Sequence, residues 1–309
     1  MTTALYSHPD CKLHEMGSHH PDSPARIQVI EDLLISSGVG NALDFRLAPE
    51  AAIKDISRVH LLDTIEMVRD NVPKEPGDYY AVDGTQLNMH TWRAALRAAG
   101  AAVAATDAVI AGEIDNAFCL VRPIGHHATP SSPMGFCVFN NVAIAAMRAL
   151  KVHGLERVAI VDIDVHHGNG TDEAFAYEPR ALMVSFYQLY LYPFSGNERA
   201  RAHMVNVAVS EGTGGEEVRE LVTKQWLPAL HAHRPEMIFI SAGFDAHRDD
   251  PLGSMELIED DYAWITQQIM DVAAQHAKGR IVSFLEGGYN LPALARSAVA
   301  HIKTLAQLD

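Results

Sequence analysis

Two carboxylates and an imidazole stand at every second position in the segment VDIDVHHGNGT (161–171). An extended backbone would point Asp162, Asp164 and His166 to one side, because successive side chains of a strand alternate between its faces. A carboxylate and an imidazole on the same side can bind one cation, and two buried carboxylates repel each other unless a cation or donors hold them. The pattern favours a metal site. The alternative is a loop of solvated acids with a helix N-cap at Asn169 or Thr171.

A further acidic residue follows a second apolar run. Asp245 comes just after the apolar stretch 237–243. Alone, an Asp in such a place is more often a turn former or a helix cap. Together with Asp164 and His166, it gives two carboxylates and one imidazole, which leaves an open position for water as in catalytic zinc sites. Fe²⁺ and Co²⁺ also accept ligands of these types.

Two other clusters have side chains suited to moving protons and stabilising negative charge. His126 and His127 are adjacent in a glycine-bounded loop, where they can act as a proton-handling pair; the alternative is a pair of surface loop histidines. Tyr289 follows two glycines in LEGGYN, where its hydroxyl could donate to a polarised carbonyl. The alternative there is an ordinary turn tyrosine. Phe136, between small neighbours, fits a pocket wall.

These clusters need a scaffold that brings them together, and the chain alternates short apolar runs with longer helical patterns. We predict strands at 118–121, 157–164, 181–186, 203–209 and 237–243, a strand and turn at 280–288, and helices at 141–154, 216–233, 262–277 and 291–306. This rhythm predicts an α/β fold with a central, mostly parallel sheet and helices on both faces. Ligands of such sheets bind outside the carboxyl ends of the strands, where three of the polar clusters fall.

The bulk composition narrows the class of protein. The chain has 309 residues, of which 48% are hydrophobic and 20% charged, enough apolar residues for one large α/β domain. The net charge of −15 argues against binding nucleic acid through its phosphates. An acidic surface could instead attract cationic partners such as lysine-rich segments or polyamines.

Cysteines and apolar runs bear on the compartment. The three cysteines (Cys11, Cys119 and Cys137) are odd in number and widely spaced, which predicts neither a disulfide framework nor a Cys-type zinc site. The first residues lack the features of a signal peptide. The Ala-rich stretch 94–112 carries charged residues, so we expect a helix packed against protein and no membrane span. A cytoplasmic protein is the expectation.

Together and in this order, RPIGHHA, GFCVFNN, DIDVHHGNGT, SAGFDAH and LEGGYNL resemble the histone deacetylase family, within the wider arginase–deacetylase fold. The resemblance runs from Arg122 to the C-terminus and, less distinctly, through HPDSPAR at 20–26. It implies a single arginase–deacetylase-like domain over 1–309, similar to class II-like and bacterial members. The implied reaction is metal-assisted hydrolysis of an acetyl-amide bond.

The resemblance assigns a role to each polar cluster. The implied metal ligands are Asp164, His166 and Asp245. His127 is implied as the general base, and His126, oriented by Asp162, as its electrostatic partner. Tyr289 is implied to stabilise the tetrahedral oxyanion. Asn169 is the implied partner of His127 and stands where class I members carry Asp.

A second ion and a substrate tunnel are also implied. The family places a monovalent cation, usually potassium, beside the catalytic strand, and the matching positions are Asp162, Asp164, His166, Ser185 and Phe186. Several of these would bind through backbone carbonyls. A narrow apolar tunnel suits the methylenes of an acyl-lysine. The positions matched to the substrate pocket are Gly135, Phe136, Tyr192, Leu252, Gly287, Gly288 and Arg26, the last near the pocket floor, where it could meet acetate.

The substrate is the least determined part of the prediction. Leu252 stands where polyamine-selective relatives place an acidic gatekeeper, which favours acetyl-lysine in a protein or peptide. The alternatives are an acetylpolyamine or other small-molecule amidohydrolase on the same scaffold, and an inactive acyl-lysine-binding module. The segment 14–21, with three histidines and Glu15, is expected to be a solvated entrance loop rather than a second metal site. A homo-oligomer is left open.

Overall fold

Short apolar runs form the strands, and the most apolar of them lie in the middle of one sheet. The computed structural model describes residues 1–196 and 201–308. Its strands are β1 (Thr3–Ser7), β2 (Leu43–Leu47), β3 (Tyr80–Val82), β4 (Thr85–Leu87), β5 (Asn116–Cys119), β6 (Val158–Asp162), β7 (Ala181–Gln188), β8 (Met204–Val209), β9 (Ile238–Ala242) and β10 (Ile281–Leu285). Within those residues, eight strands pair in parallel in the order β2-β1-β5-β10-β9-β6-β7-β8, and β3 and β4 form an antiparallel hairpin.

Helices cover both faces of the main sheet. They are α1 (Ala25–Ser36), α2 (Ile53–Ile56), α3 (Leu62–Asn71), α4 (Thr91–Ala111), α5 (Asn141–Lys151), α6 (Asn169–Phe175), α7 (Gly215–Leu221), α8 (Leu227–His233), α9 (Glu259–His276) and α10 (Leu291–Leu305). Helix α10 packs against α1 and α9, whereas α4 packs against α5, β1 and β10. The central strands β5, β6, β9 and β10 are buried along their whole length, as expected when both faces are covered. The predicted α/β fold with a mostly parallel sheet is confirmed.

Some predicted bounds were wrong. The helix expected at 216–233 is interrupted by a π-helical segment, Val222–Trp226, between α7 and α8. Pro228 follows this segment and has no N–H to continue the regular hydrogen-bond ladder, which accounts for the interruption. Strands β1 and β2 were not predicted. Each has only five residues, and β2 alternates apolar and charged side chains at the end of the sheet.

Helix α4 corresponds to the Ala-rich stretch at 94–112. By length and composition alone, this helix could cross a membrane. However, 67% of its most apolar 18-residue stretch is buried inside the protein. Small alanine side chains let it approach α5 and the sheet closely. The expected packing of this helix against protein is therefore seen in the structure.

A buried ion cluster ties the segment before α1 to the end of β5. Asp22 Oδ1 accepts hydrogen bonds from Arg26 Nη1 and Arg122 Nε, both at 2.7 Å. All three residues are fully buried. Burial alone would raise the pKa of Asp22, but the charges of Arg122 and Arg26 hold it well below its ordinary value. Arg26 also donates from Nε to the carbonyl oxygen of Gly288 at 2.7 Å, which connects the cluster to the turn after β10.

We expect Asp22→Ala to lower the free energy of unfolding by about 3–5 kcal/mol, because it leaves two guanidinium groups buried without their counter-ion. Urea denaturation at neutral pH measures this loss. Because the pKa of Asp22 is lowered in the folded protein, its stabilising effect is complete above the ordinary carboxyl pKa of 3.8 and is lost as the pH falls toward the folded-state pKa. The free energy of unfolding of Asp22→Ala should therefore decrease less on acidification than that of the wild type. Asp70→Ala, at an exposed ion pair with Arg69, is the control. Equal losses in the two variants would contradict the prediction.

Candidate active site

Three predicted metal ligands converge at the carboxyl ends of β6 and β9. Asp164, His166 and Asp245 each offer one ligand atom, and these atoms all lie within 4.8 Å of one another. His166 Nδ1 is 3.0 Å from Asp164 Oδ1 and 3.1 Å from Asp245 Oδ2. All three residues are buried. Parallel strands end at the same edge of a sheet, which explains how residues so distant in sequence meet there.

The local geometry differs from the extended backbone predicted for 157–164. Strand β6 ends at Asp162, and the chain then turns. The N–H of Asp164 donates to Asp162 Oδ1 at 3.1 Å, and the N–H of His166 donates to Asp164 Oδ1 at 2.9 Å. Aspartate side chains that bond the backbone two residues later stabilise turns of this kind. Turn formation, and not strand alternation, therefore aims Asp164 and His166.

The donor set fits a divalent cation. The outer oxygen of each carboxylate accepts a backbone N–H: Gly287 donates to Asp164 Oδ2 at 2.8 Å, and Val165 donates to Asp245 Oδ1 at 3.0 Å. The inner oxygens, Asp164 Oδ1 and Asp245 Oδ2, face His166 Nδ1. Such outer partners orient ligands in metal sites. Two inward oxygens and one ring nitrogen match a site that binds a metal and keeps an open position.

The charges of the cluster support the same conclusion. Burial alone would lower the pKa of His166, but its bonds to Asp164 and Asp245 raise it to about 10. Burial and the charge of Asp164 raise the pKa of Asp245. The arrangement thus favours a positive charge between the two carboxylates, as a proton on His166 or as a cation.

The adjacent histidines have opposite electrostatic environments. His126 Nδ1 is 3.0 Å from Asp162 Oδ2, and His127 Nδ1 is 2.8 Å from Asn169 Oδ1. Burial would lower the pKa of His126, but Asp164 and Asp162 raise it well above its ordinary value. Burial and the neighbouring charge of His126 lower the pKa of His127 well below its ordinary value. These surroundings favour the protonated form of His126 and the neutral form of His127.

The bond to Asn169 determines which nitrogen of His127 is available. With the amide oxygen of Asn169 facing Nδ1, this nitrogen carries the proton, and Nε2 is left as the acceptor. The ring centroid of His127 is 5.9 Å from that of His166. A neutral imidazole with a free Nε2 next to the ligand cluster can accept a proton from a water molecule there.

Tyr289 lies on the opposite part of the same site. Burial raises the pKa of its hydroxyl well above the ordinary value, and the charge of Arg26 only partly offsets this, so the hydroxyl remains a donor. The Arg26 guanidinium carbon is 4.9 Å from the centroid of the Tyr289 ring. Arg26 is fully buried behind Tyr289, and Glu286 and Gly288 accept its hydrogen bonds through their carbonyl oxygens.

A cavity of about 350 Å³ connects these groups. The lining residues are Gly84, His127, Gly135, Phe136, His166, Leu191, Tyr192, Leu252 and Tyr289. Seven of them were predicted site residues, and Gly84 and Leu191 were not. Gly135 has a positive φ, and a Cβ there would lie 2.6 Å from His127 Cδ2 and 2.7 Å from Tyr192 Cε1. Only glycine therefore lets the wall approach both rings.

Four residues do not have the surroundings that the sequence analysis predicted for them. Arg26, Gly287 and Gly288 do not line this cavity but lie behind its wall. His14 is fully buried, with Nδ1 2.8 Å from Thr91 Oγ1, so the expectation that 14–21 is a solvated loop is wrong for this residue. Burial of the His14 ring lowers its pKa to about 3.

The monovalent-cation positions stay a prediction. Asp162 and Ser185 face each other in the paired strands β6 and β7. The Ser185 hydroxyl donates to Asn206 Oδ1 at 2.8 Å, and its carbonyl oxygen accepts from Trp226 Nε1 at 3.3 Å. Phe186 is buried and its ring stacks on that of Trp226.

Two buried carboxylates position the site and were not predicted as site residues. Asp250 accepts the N–H of Leu252 at 2.9 Å through Oδ1 and the N–H of Tyr289 at 2.6 Å through Oδ2. Glu286 Oε2 accepts the N–H groups of Gly125 at 2.7 Å and His126 at 3.1 Å. In the sequence, both are acids beside glycine or proline turns. Only the fold shows which backbone groups they bind.

A model of the histone deacetylase domain matches residues 20–305 of this chain. The match spans far more than half of the chain and includes every cluster described above. The chain belongs to the histone deacetylase family. The predicted family is therefore confirmed, and the match begins at the same residue as the less distinct N-terminal motif HPDSPAR at 20–26.

Individual members of the histone deacetylase family agree with this assignment. The histone deacetylase-like amidohydrolase of Pseudomonas aeruginosa is 38% identical over 278 residues, which cover 88% of this chain and 73% of that protein. A probable deacetylase of Archaeoglobus fulgidus is 33% identical over 318 residues, which cover 100% and 88%. The crystal structure of the HDA15 HD domain matches with a TM-score of 0.92 at 34% identity and covers 99% of this chain and 88% of that one. The chain is thus a deacetylase or amidohydrolase of this family, and its three convergent ligands suit the metal dependence general to the family.

We expect Gly287→Ala to weaken divalent-metal binding by about 10- to 100-fold, the usual cost of disturbing an outer partner of a metal ligand. A Cβ at this position would lie 1.9 Å from Asp245 Oδ2 and 2.6 Å from Asp164 Oδ2, so both ligands must move. Isothermal titration of the chelator-treated protein with metal gives the affinity. Gly214→Ala is the control, because its nearest contact would be 3.5 Å away. Wild-type affinity in Gly287→Ala would show that the ligand cluster does not bind the metal.

Proposed function

We propose that the protein is a zinc-dependent deacetylase that hydrolyses the acetyl-amide of N-acetyl-lysine in proteins or peptides. One observation carries the proposal: His166 of the ligand cluster, His127 and Tyr289 all line the same cavity of about 350 Å³. A ligand cluster, a proton acceptor and an oxyanion donor thus face one space large enough for an acylated side chain.

In the proposed reaction, Asp164, His166 and Asp245 hold the ion. A Zn²⁺ ion held by these three residues would polarise the acetyl carbonyl and lower the pKa of a water molecule from about 15.7 toward about 7. Neutral His127 accepts the proton of the attacking water at Nε2 and returns it to the leaving amine. Asp162 orients protonated His126, whose positive charge helps to balance the negative charge that develops beside it.

Tyr289 supplies the donor to the oxyanion. Its high pKa keeps the hydroxyl protonated, and Asp250 holds its backbone N–H. Phe136 packs edge-on against the Tyr289 ring at a centroid distance of 5.8 Å, and Tyr192 packs edge-on against His127 at 5.1 Å. These rings restrict water in the cavity, which strengthens each electrostatic contact.

The cavity walls favour a lysine side chain as the substrate. Phe136, Leu191, Tyr192 and Leu252 present apolar surface to the cavity, which suits four methylenes that end in a neutral amide. Leu252 adds no negative charge to attract the second ammonium of an acetylpolyamine. Potassium at the five matched positions and a cytoplasmic location remain predictions of the same proposal.

A substrate panel tests the proposal. We expect kcat/KM for an acetyl-lysine peptide to exceed that for an acetylpolyamine, chelation to abolish both rates, and zinc to restore them. Leu252→Glu should shift the preference toward the acetylpolyamine, and Leu252→Gln, which is polar but uncharged, should not. Undiminished hydrolysis after verified metal removal would exclude the mechanism. A wild-type preference for the acetylpolyamine would assign the chain to small-molecule substrates.

Replacing Tyr289 by Phe tests the oxyanion donor. We expect kcat to fall about 10²- to 10³-fold, as for other single donors of this kind, with little change in metal content. Tyr177→Phe is the matched control, because Tyr177 is almost fully exposed. If Tyr289→Phe retained the wild-type kcat, the hydroxyl would have no role in the rate-limiting step.

A further inference from the structure

Strand β2 is the end strand of the main sheet, and its outer edge pairs with no other strand in residues 1–196 and 201–308. The N–H of Ala48 donates to Ser7 of β1, and Leu47 is in register with Ser7. Backbone groups of a strand alternate between its two edges. Those of Asp44 and Arg46 therefore face β1, whereas those of Phe45 and Leu47 face outward.

Large apolar side chains accompany this open edge. Phe45 is 57% exposed and Leu47 is 74% exposed, although both belong to a strand of the main sheet. They line a cavity of about 300 Å³ whose other lining residues are apolar (Leu5 and Pro9) and polar or charged (Ser7, His8, Lys12, Glu31 and Arg46). An edge with exposed apolar side chains is a template for another strand, unless charge, proline or a bulge blocks it.

The two charged residues of β2, Asp44 and Arg46, lie on its other face, one on each side of Phe45 in the sequence. Asp44 Oδ2 is 2.8 Å from Arg46 Nε. The strand reads Leu-Asp-Phe-Arg-Leu, so the residues on either side of Phe45 have opposite charges. If a two-fold axis passes beside Phe45, Asp44 of one copy lies opposite Arg46 of the other.

The open backbone groups fit the same register. In an antiparallel pair centred on Phe45, the two Phe45 residues form a hydrogen-bonded pair, and Leu43 faces Leu47 in the flanking pairs. The N–H of Leu43 already donates to the carbonyl of Gly40, so each flanking pair keeps one bond, from Leu47 N–H to Leu43 C=O. Asp44 and Arg46 then fall in non-hydrogen-bonded pairs, where facing side chains are closest.

We propose that the β2 edge binds a second copy of this chain, with the two β2 strands antiparallel about Phe45 and the main sheets continuous across the dimer. Charge complementarity selects this occupant. A like-charged edge would repel its own copy, but this one presents an acid and a base at exchangeable positions. Phe45 and Leu47 of the second copy would lie on the same face of the continuous sheet, beside Phe45 and Leu47 of the first copy.

Sedimentation velocity over a concentration series tests the proposal with the full chain. We expect a concentration-dependent dimer, and Phe45→Lys should shift the protein to monomer. Leu62→Lys is the matched control, because Leu62 on α3 is 59% exposed and lies outside β2. Both variants should keep the far-UV circular dichroism of the wild type, which separates loss of the interface from loss of folding.

Charge exchange gives a sharper test. Asp44→Arg and Arg46→Asp each place like charges opposite one another in a homodimer, so each should weaken the dimer by about tenfold or more. Mixed together, the two variants have complementary edges and should form a heterodimer, and the double exchange Asp44→Arg/Arg46→Asp should restore the homodimer. A wild-type monomer at every concentration would overturn the proposal and leave the edge to a different strand. A dimer insensitive to Phe45→Lys, or single variants that fail to recombine, would also overturn it.

Discussion

The arrangement of the site depends on holding two aspartates close together away from water. Asp164 and Asp245 would repel each other in a buried position unless each charge were compensated. Backbone N–H groups of Gly287 and Val165 bind one oxygen of each, and His166 lies between the other two oxygens. Loops after β6, β9 and β10 are all required for this arrangement, because each contributes either a carboxylate or the donor that orients it.

Neighbouring carboxylates also separate the properties of the adjacent histidines. His126 lies beside Asp162 and Asp164, which raise its pKa, whereas His127 lies one residue further on, against neutral Asn169, where burial and the charge of His126 lower its pKa. Opposite pKa shifts in neighbouring groups are a common way to obtain an acid and a base at one pH. Here the difference arises from which side chain each ring reaches and not from the histidines themselves.

The turn after β10 links the parts of the site to one another. Glu286 binds the backbone of the dihistidine loop, Gly287 donates to Asp164, and Tyr289 is held by Asp250. Arg26 fastens the same turn from behind, and Asp22 compensates its charge. Because each of these groups has a specific partner, the relative positions of the ligands, the base and the oxyanion donor are determined together.

The chemistry was readable from the sequence because it resides in residue types at short spacings. The acids and histidines of DIDVHH, the adjacent histidines and Tyr289 each occupy one short segment, and the apolar runs before them predicted the parallel sheet. Contacts between distant segments were not readable. The bonds of Asp250 and Glu286, the burial of His14 and the open edge at β2 arise when segments far apart in sequence meet. Turn geometry after Asp162 and the opposite pKa shifts of His126 and His127 likewise depend on partners that only the tertiary structure supplies.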